Sequence, residues 1–390
     1  MRSLRAQRGA TARPDDPVTV YGLFSGASGL GQAVRLLADN LEAVGRTVHR
    51  VDATPHLLGT ATPMNGIGQD AGCGPILWHL NPVEAAEIME ALAPPNLAKR
   101  PRIGMWLYEL SNAPDHWRSY VNLFDTIWSP SDASANAMQV LGVDAKTIPY
   151  CHAPMSGVSR SEGHTQSRIF TVLAMADARS SLARKNMDGA VTAFQRAFPA
   201  TDPTVRLQLK ISHLPADASL RDRIASDPQV ELIESRLPFQ VTLALMADAD
   251  VLLSLHRGEG YGLTLVEAMQ MGVPVIMTDE PSTRALQLAG CSWTTPSRTV
   301  PVHDPQGIYR GGVWAEPDLG VAATHLQTLR RRWQTGQLHN GRESRIQAAS
   351  QTFGSPVRLE RLRMALGALP MKKVPQPELR DLSIVKAKAT

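Results

Sequence analysis

Two glutamates flank a glycine-rich segment in the second half of the chain. Residues 254–279 read SLHRGEGYGLTLVEAMQMGVPVIMTD, with Glu259 in a loop and Glu267 eight positions later in a helix expected over about Leu263 to Met271. Glycine lets the backbone approach a ligand, and a helix N-terminus offers unpaired N–H groups to an anion. Carboxylates beside such an anion accept hydrogen bonds from hydroxyls, which a nucleotide sugar has on both sides of its diphosphate. The segment predicts a nucleotide-sugar site. The alternative is that Glu259 is a solvated loop residue and Glu267 an acid on the helix dipole.

Two adjacent cations follow an earlier predicted strand. Arg184 and Lys185 come after a strand that ends at Asp177 and a serine-rich loop. Fixed cations can stabilise the charge of a leaving diphosphate without a metal ion. Because no D-x-D motif stands in a suitable loop, we predict a metal-independent protein with no cofactor, the nucleotide sugar being its substrate. Lys210 is a weaker third candidate, and the alternative for the pair is two exposed cations at a helix start.

A second glycine loop, SGASGLG, occupies residues 25–31 before another predicted helix. The amides around Gly29 and Gly31 could contact a donor phosphate or an acceptor. Asp52 lies 21 residues after Gly31, near where an NAD-dependent oxidoreductase places its ribose-binding acid, so that class is an alternative. Against it, the spacing is G-x-x-G-x-G instead of G-x-G-x-x-G, and no Tyr is followed four residues later by Lys.

Short apolar runs alternate with helical patterns along most of the chain. This order predicts α/β architecture with doubly wound parallel sheets, and 390 residues suggest two domains. Strands are expected at 18–24, 47–52, 75–80, 102–108 and 126–131, and then at 168–177, 204–212, 230–235, 250–256 and 273–279. Residues 317–368 have a mostly helical pattern. The expected division is a basic tail over 1–16, a domain over 17–155 joined by 356–370, a second domain over 156–355 and a flexible tail over 371–390.

The bulk composition is that of a globular protein. The chain is 43% hydrophobic and 19% charged, with a formal charge of +4. Much of the basic excess lies near the ends of the chain, which favours solvated tails over a nucleic-acid surface, although a tail could contact an anionic membrane. The three cysteines show no C-x-x-C spacing, so neither a disulfide framework nor a zinc site is indicated. We expect a cytoplasmic protein, with peripheral contact at the inner membrane as an alternative.

The segment EGYGLTLVEAM closely resembles the E-x7-E motif of retaining glycosyltransferases of family four, which have the GT-B architecture. The segments GMWLYELSNAPDHW (104–117), DTIWSPSDASANAM (125–138), RKNMDGAVTAFQRAF (184–198) and YRGGVWAEPD (309–318) are similar to one branch of that family, in the same order. The resemblance implies two Rossmann-like domains that face each other across a cleft. It also implies a retaining transferase acting on a nucleotide-sugar donor, GDP-mannose or a UDP-sugar, and a glycan or lipid-linked acceptor in surface polysaccharide biosynthesis.

The resemblance also assigns roles to residues. Glu259 would contact the donor sugar, Glu267 the ribose, and Arg184 and Lys185 the diphosphate. The backbone amides expected to face the sugar and phosphates lie in the segment Gly260, Tyr261, Gly262, Leu263 and Thr264. Many relatives carry a histidine in the first domain, where this chain has Glu109, so Glu109 could take that contact; His79, His152 and His256 are alternatives. A catalytically silent GT-B binding subunit is a further alternative function.

Overall fold

The computed structural model describes residues 16–59, 66–70, 72–155, 158, 160–161, 169–216, 219–235 and 237–369. The expected tails, apart from residue 16, lie outside these residues. The chain forms two compact units. The first comprises the described residues of Met1–Tyr108, Asn112–Cys151 and Pro356–Thr390, and the second comprises those of Glu109–Ser111 and His152–Ser355.

Strands and helices alternate in both units. The strands are β1 (Val18–Gly22), β2 (Val48–Asp52), β3 (Ile76–His79), β4 (Arg102–Met105), β5 (Thr126–Ser129), β6 (Lys146–Thr147), β7 (Phe170–Asp177), β8 (Val205–Ser212), β9 (Val230–Ile233), β10 (Val251–Ser254), β11 (Val275–Thr278), β12 (Ser292–Thr295), β13 (Ser297–Pro301) and β14 (Val313–Pro317). The α-helices are α1 (Gly29–Ala43), α2 (Thr54–Leu58), α3 (Pro82–Leu92), α4 (Asp132–Ala137), α5 (Leu182–Lys185), α6 (Met187–Ala197), α7 (Ser219–Ala225), α8 (Phe239–Asp248), α9 (Leu263–Gln270), α10 (Pro281–Arg284), α11 (Leu319–Gln334), α12 (Gln337–Asn340), α13 (Arg342–Phe353) and α14 (Pro356–Gly367). Short 3₁₀ segments occur at Leu97–Lys99, Asp115–Leu123, Gln139–Leu141 and Ala178–Ser180.

Each unit contains a six-stranded parallel sheet. The order is β2-β1-β3-β4-β5-β6 in the first unit and β12-β11-β10-β7-β8-β9 in the second. In the second sheet the chain runs outwards from β7 to β9 and then returns to place β10 on the other side of β7. The prediction of parallel α/β sheets is confirmed. An antiparallel pair, β13 and β14, was not predicted.

The strands carry apolar side chains, which favours covering both faces of each sheet. Every residue of β3 and β11 is buried, as is typical of strands covered on both faces. In the second unit, the core side chains of β7 and β8 pack with those of α6 and α11, including Phe170 and Phe194. In the first unit, Tyr21 and Trp78 stack on neighbouring strands with ring centroids 4.3 Å apart.

The SGASGLG loop of the first unit is held by close backbone packing. A Cβ at Gly31 would lie 2.0 Å from the carbonyl oxygen of Gly26, so only glycine fits there, whereas Gly29 has open space. Ser28 caps α1 by accepting a hydrogen bond from the Gly31 amide at 3.2 Å. The glycine at position 31 is therefore required for the turn itself.

Asp52 connects two turns of the first unit. Its carboxylate accepts hydrogen bonds from the amide and hydroxyl of Ser25, at 3.3 and 2.5 Å, and from the amide and hydroxyl of Thr54, at 3.1 and 2.5 Å. This structural use of Asp52 argues against the oxidoreductase alternative, which needs the carboxylate for a ribose.

The last helix of the described chain belongs to the first unit. Helix α14 contacts α1, and Arg358 on α14 donates a hydrogen bond to the carbonyl oxygen of Tyr150 at 3.0 Å. The first unit is therefore built from segments that lie more than 200 residues apart in the sequence.

No helix within the described stretches is both long and apolar enough to cross a membrane.

Candidate functional site

The candidate site lies where the second sheet reverses its strand order. Strands β7 and β10 are neighbours in the sheet, although they are far apart in the chain. Their carboxyl ends lead into the cation loop, residues 178–186, and the glycine loop, residues 255–262. Adjacent parallel strands whose connections leave in opposite directions open a crevice at that edge, and α/β proteins bind ligands there. The topology thus explains why Arg184 and Glu259 meet.

The cation loop fixes both cations at the C-terminal end of a short helix. Ser181 and Asn186 flank α5 with φ angles of +68° and +54°, a conformation that is unfavourable for residues other than glycine. Ser181 caps α5 by accepting a hydrogen bond from the Arg184 amide at 3.0 Å. Asn186 donates to the carbonyl oxygen of Leu255 at 2.8 Å, which connects the cation loop to the glycine loop.

Arg184 is buried although it is charged. Its side chain is 2% exposed, and Nη1 donates to the carbonyl oxygen of Gly258 at 2.7 Å. Burial alone would lower the pKa of Arg184, but the nearby Tyr309, Glu109, Glu259 and Glu280 raise it above its ordinary value. Arg184 therefore stays protonated and supplies a fixed positive charge to the site.

Glu259 is ion-paired with both cations. Its Oε2 lies 2.6 Å from Lys185 Nζ and 3.7 Å from Arg184 Nη1. Burial alone would raise the pKa of Glu259, but Lys185, Arg184 and His256 lower it to about 2. Glu259 is therefore ionised at neutral pH, where it can accept hydrogen bonds but cannot donate a proton.

The glycine loop packs tightly against its surroundings. A Cβ at Gly258 would lie 2.5 Å from the carbonyl oxygen of Glu109, and one at Gly262 would lie 2.7 Å from Leu286 Cδ1. Gly262 also has a φ of +87° and caps α9. Glycine is therefore required at Gly258 by contact with the backbone of Glu109, and it is favoured at Gly262 by the positive φ.

The predicted binding residues around α9 occupy one continuous segment. Gly260 and Tyr261 are buried, and Leu263 and Thr264 are half-buried in the first turn of α9. Glu267 is in the next turn and is 6% exposed. Acidic side chains are seldom buried to this degree unless they are paired with another group.

Glu109 reaches the site from a segment that belongs to the second unit. Its Oε1 lies 3.9 Å from Arg184 Nη2, whereas the Gly258 carbonyl oxygen is bonded to Nη1 of the same guanidinium. The structure thus brings together the four residues to which the resemblance assigned contacts with the donor sugar and diphosphate: Glu109, Arg184, Lys185 and Glu259.

Other predicted residues lie elsewhere. Lys210 is in β8, where Nζ donates to the hydroxyl of Ser212 at 2.7 Å, and burial lowers its pKa while Asp177 raises it. Its described contacts do not include Glu259. Gly29 and Gly31 belong to the first unit, at the start of α1.

The three alternative histidines have separate partners. His79 of the first unit is hydrogen-bonded to the Tyr150 hydroxyl at 2.8 Å, and burial lowers its pKa to about 4. His152 is hydrogen-bonded to the Tyr261 hydroxyl at 3.1 Å and stacks on that ring. His256 is fully buried, with Nε2 3.6 Å from Glu280 Oε1. Of these, His256 acts on the site directly, since it helps lower the pKa of Glu259.

Sequence reasoning missed the loop between β13 and β14, which we call the hairpin loop (residues 302–312). Its Tyr309 is buried, with the ring centroid 5.6 Å from Arg184 Cζ in a cation–π arrangement. No spacing rule connects these residues, which are 125 positions apart. The only signal in the sequence was the resemblance of residues 309–318 to one branch of the family.

Comparison with solved structures gives the fold of the chain. HepE of Anabaena, crystallised with UDP and glucose, is 15% identical, with a TM-score of 0.61 over 90% of this chain and 99% of HepE. Sucrose-phosphate synthase from Thermosynechococcus elongatus is 15% identical, with a TM-score of 0.61 over 90% of this chain and 98% of the synthase. WaaG, a glycosyltransferase involved in lipopolysaccharide biosynthesis, is 13% identical, with a TM-score of 0.57 over 90% of this chain and 99% of WaaG. The chain has the GT-B glycosyltransferase fold, as predicted.

Sequence comparison identifies the domain that contains the site. Residues 170–310 match the family model described as "Glycosyl transferases group 1", so this part of the chain is similar to a group 1 glycosyltransferase domain. The match includes both the cation loop and the glycine loop, and it is consistent with the resemblance to family four. A search of curated protein sequences found no significant match.

Proposed function

We propose that this protein is a retaining, metal-independent glycosyltransferase that transfers a sugar from a nucleotide-diphosphate donor to a hydroxyl acceptor. The observation that carries the proposal is the cluster of Arg184, Lys185 and Glu259 at the strand-order reversal of the second sheet, with Lys185 Nζ and Arg184 Nη1 2.6 and 3.7 Å from Glu259 Oε2. Two fixed cations beside an ionised carboxylate match a ligand that carries a diphosphate next to hydroxyl groups.

Each charged group has a distinct task in this mechanism. The bond between the sugar C1 and the diphosphate oxygen breaks, and the electron pair stays on the diphosphate, where Arg184 and Lys185 stabilise it. The acceptor oxygen bonds to C1 on the face that the diphosphate leaves, and its proton passes to the departing phosphate. Because Glu259 is ionised, it contributes by accepting hydrogen bonds from the sugar, while Glu267 binds the ribose.

The donor and acceptor are proposed by class. A UDP-sugar is supported by HepE, which was crystallised with UDP-glucose, and GDP-mannose is the alternative donor. A glycan or lipid-linked acceptor in surface polysaccharide biosynthesis is supported by the similarity to WaaG. We further propose that the first unit binds the acceptor, with Gly29 and Gly31 near it, and that the protein acts in the cytoplasm, with peripheral contact at the inner membrane as the alternative.

The cheapest test is a thermal-shift titration with UDP, GDP and NAD, followed by a hydrolysis assay over a panel of UDP- and GDP-sugars. We expect UDP or GDP to raise the melting temperature and one donor to be hydrolysed slowly without an acceptor. Stabilisation by NAD alone would favour the oxidoreductase alternative. Binding of UDP or GDP without turnover of any donor would favour the silent subunit.

A further inference from the structure

The hairpin loop is bonded to both ends of the segment that leads into Arg184. Ser181 donates from its hydroxyl to Asp304 Oδ1 at 3.0 Å. Gln306 accepts from the Leu182 amide at 2.6 Å and donates to the carbonyl oxygen of Ala178 at 2.7 Å. The chain between Ala178 and Leu182 is thus held at its start and at its end by side chains that lie over 120 residues away in the sequence.

These bonds hold a backbone conformation that is unfavourable by itself. Ser181 is fully buried and has a φ of +68°, which an L-residue adopts only when its surroundings hold it there. The same hydroxyl that donates to Asp304 also accepts from the Arg184 amide at 3.0 Å. The position of Ser181 therefore determines where α5 begins and in which direction Arg184 and Lys185 project.

Asp304 also organises its own loop. Its Oδ1 accepts from the Gln306 amide at 3.2 Å, and its Oδ2 accepts from the Tyr309 amide at 3.0 Å. These bonds place the Gln306 side chain against the cation loop and the Tyr309 ring over the Arg184 guanidinium. The Asp304 carboxylate thus bonds to Ser181 of the cation loop and also positions Gln306 and Tyr309, the two hairpin-loop residues that contact the cation loop.

The base of the hairpin reaches the same short helix through Arg257, which follows β10. Arg257 donates from Nη1 to the carbonyl oxygen of Ala183 at 2.6 Å, and its amide donates to the carbonyl oxygen of Arg184 at 2.7 Å. Its Nε is ion-paired with Glu316 of β14 at 2.5 Å, and its guanidinium lies over the Trp314 ring at 5.4 Å. The hairpin therefore holds the cation loop directly through the hairpin loop and indirectly through Arg257.

We propose that Asp304 and Gln306 are positioning residues that hold Arg184 and Lys185 in the geometry needed to bind a diphosphate. This inference rests on the proposed function, because it assigns the hairpin loop to the diphosphate part of the same site. Neither side chain needs to touch the substrate, since each acts through the cation loop. By holding Arg184 and Lys185 in place, the hairpin loop makes the affinity for a nucleoside diphosphate higher than the affinity for the nucleoside alone.

The experiment compares the binding of diphosphates and of nucleosides by calorimetry. Wild type, Asp304→Ala, Asp304→Asn, Gln306→Ala and Arg184→Ala are each titrated with UDP, GDP, uridine and guanosine, and their melting temperatures are recorded. Arg310→Ala is the matched control in the hairpin loop, because Arg310 is exposed and its described hydrogen bond goes only to Gly307 within the loop. Asp318→Ala is the control for lost stability, because Asp318 caps α11 with bonds to Gly320 and Val321.

We expect Asp304→Ala to weaken UDP or GDP binding about tenfold, as expected for displacing a charged contact, with nucleoside binding unchanged. Gln306→Ala should weaken diphosphate binding less, Asp304→Asn should restore part of the loss, and both controls should bind like wild type.

Diphosphate binding at the wild-type level in Asp304→Ala and Gln306→Ala, with binding lost in Arg184→Ala, would overturn the inference and leave the proposed function intact. Equal loss of nucleoside and diphosphate binding would also overturn it, because it would indicate general destabilisation. If wild type binds neither UDP nor GDP, the proposed function fails.

Discussion

Lys185 donates a hydrogen bond of 2.6 Å to Glu259, so the cation proposed to meet the diphosphate also holds the carboxylate proposed to meet the sugar. Arg184, 3.7 Å from the same carboxylate oxygen, adds to the effect. Burial by itself would favour protonated Glu259, and the two cations, with His256, reverse that preference. The charges of the site are therefore interdependent, and changing one residue changes the protonation of another.

The first prediction concerns pH. Because Lys185 lowers the pKa of Glu259, the variant Lys185→Met should raise that pKa towards its ordinary value of 4.5. Activity that requires ionised Glu259 is lost as the pH falls through this pKa, so the acid limb of the kcat/KM profile should move to higher pH by about one unit. Overall activity should fall as well, because Lys185 is proposed to bind the diphosphate.

The matched control for this prediction is Lys210→Met. Lys210 is a half-buried lysine of the same unit whose described hydrogen bond goes to Ser212. Its replacement should leave the acid limb where it is in wild type. An unchanged acid limb in Lys185→Met would show that Glu259 is not the group whose ionisation limits activity.

The second prediction separates the two glutamates of the motif. Glu267→Ala should weaken the binding of UDP or GDP roughly tenfold, because a charge-assisted hydrogen bond to the ribose is lost. Glu259→Ala should lower donor turnover more than nucleotide affinity, because its proposed contacts are with the sugar. Calorimetry and donor hydrolysis measure the two effects, with exposed Glu343 replaced by Ala as the control. Wild-type binding and turnover in both variants would refute the site.

The third prediction uses two glycines of the same helix turn. Gly31→Ala should destabilise the protein by about 1–3 kcal/mol, because its Cβ would lie 2.0 Å from the Gly26 carbonyl oxygen and the backbone must shift. Gly29→Ala has open space and should be neutral or stabilising by up to about 1 kcal/mol. Urea denaturation of both variants measures the difference. A similar loss of stability in both would mean that close packing at residue 31 does not decide the effect.

Much of the fold could be predicted because parallel strands are continuous apolar runs. All ten predicted strands are present, but several end earlier than their apolar runs do. Strand β10 ends at Ser254, while the apolar run continues to Leu255 and His256. Both of these residues are buried, yet the Leu255 carbonyl oxygen accepts from the Asn186 side chain and not from a neighbouring strand. Hydrophobicity predicts burial, and it does not predict which group completes a hydrogen bond.

The candidate site could be predicted only in part. Glu259 and Glu267 lie in one segment, and the order of strands places Arg184 and Lys185 beside Glu259, so local patterns and topology account for this part of the site. Strand β13 is largely exposed, with Ser297, Arg298 and Thr299 all exposed, and neither β13 nor β14 carries an alternating apolar pattern that would predict a strand. Their role depends on hydrogen bonds such as that of Ser181 with Asp304, which no short-range rule anticipates.

The placement of α14 has a consequence for biosynthesis. Because Arg358 bonds to Tyr150 and α14 contacts α1, the first unit lacks one of its helices until the ribosome has translated beyond residue 367. The polypeptide of the second unit is complete earlier, at Ser355. Domains generally fold as they emerge during synthesis, so here the unit that begins first is the one that finishes last.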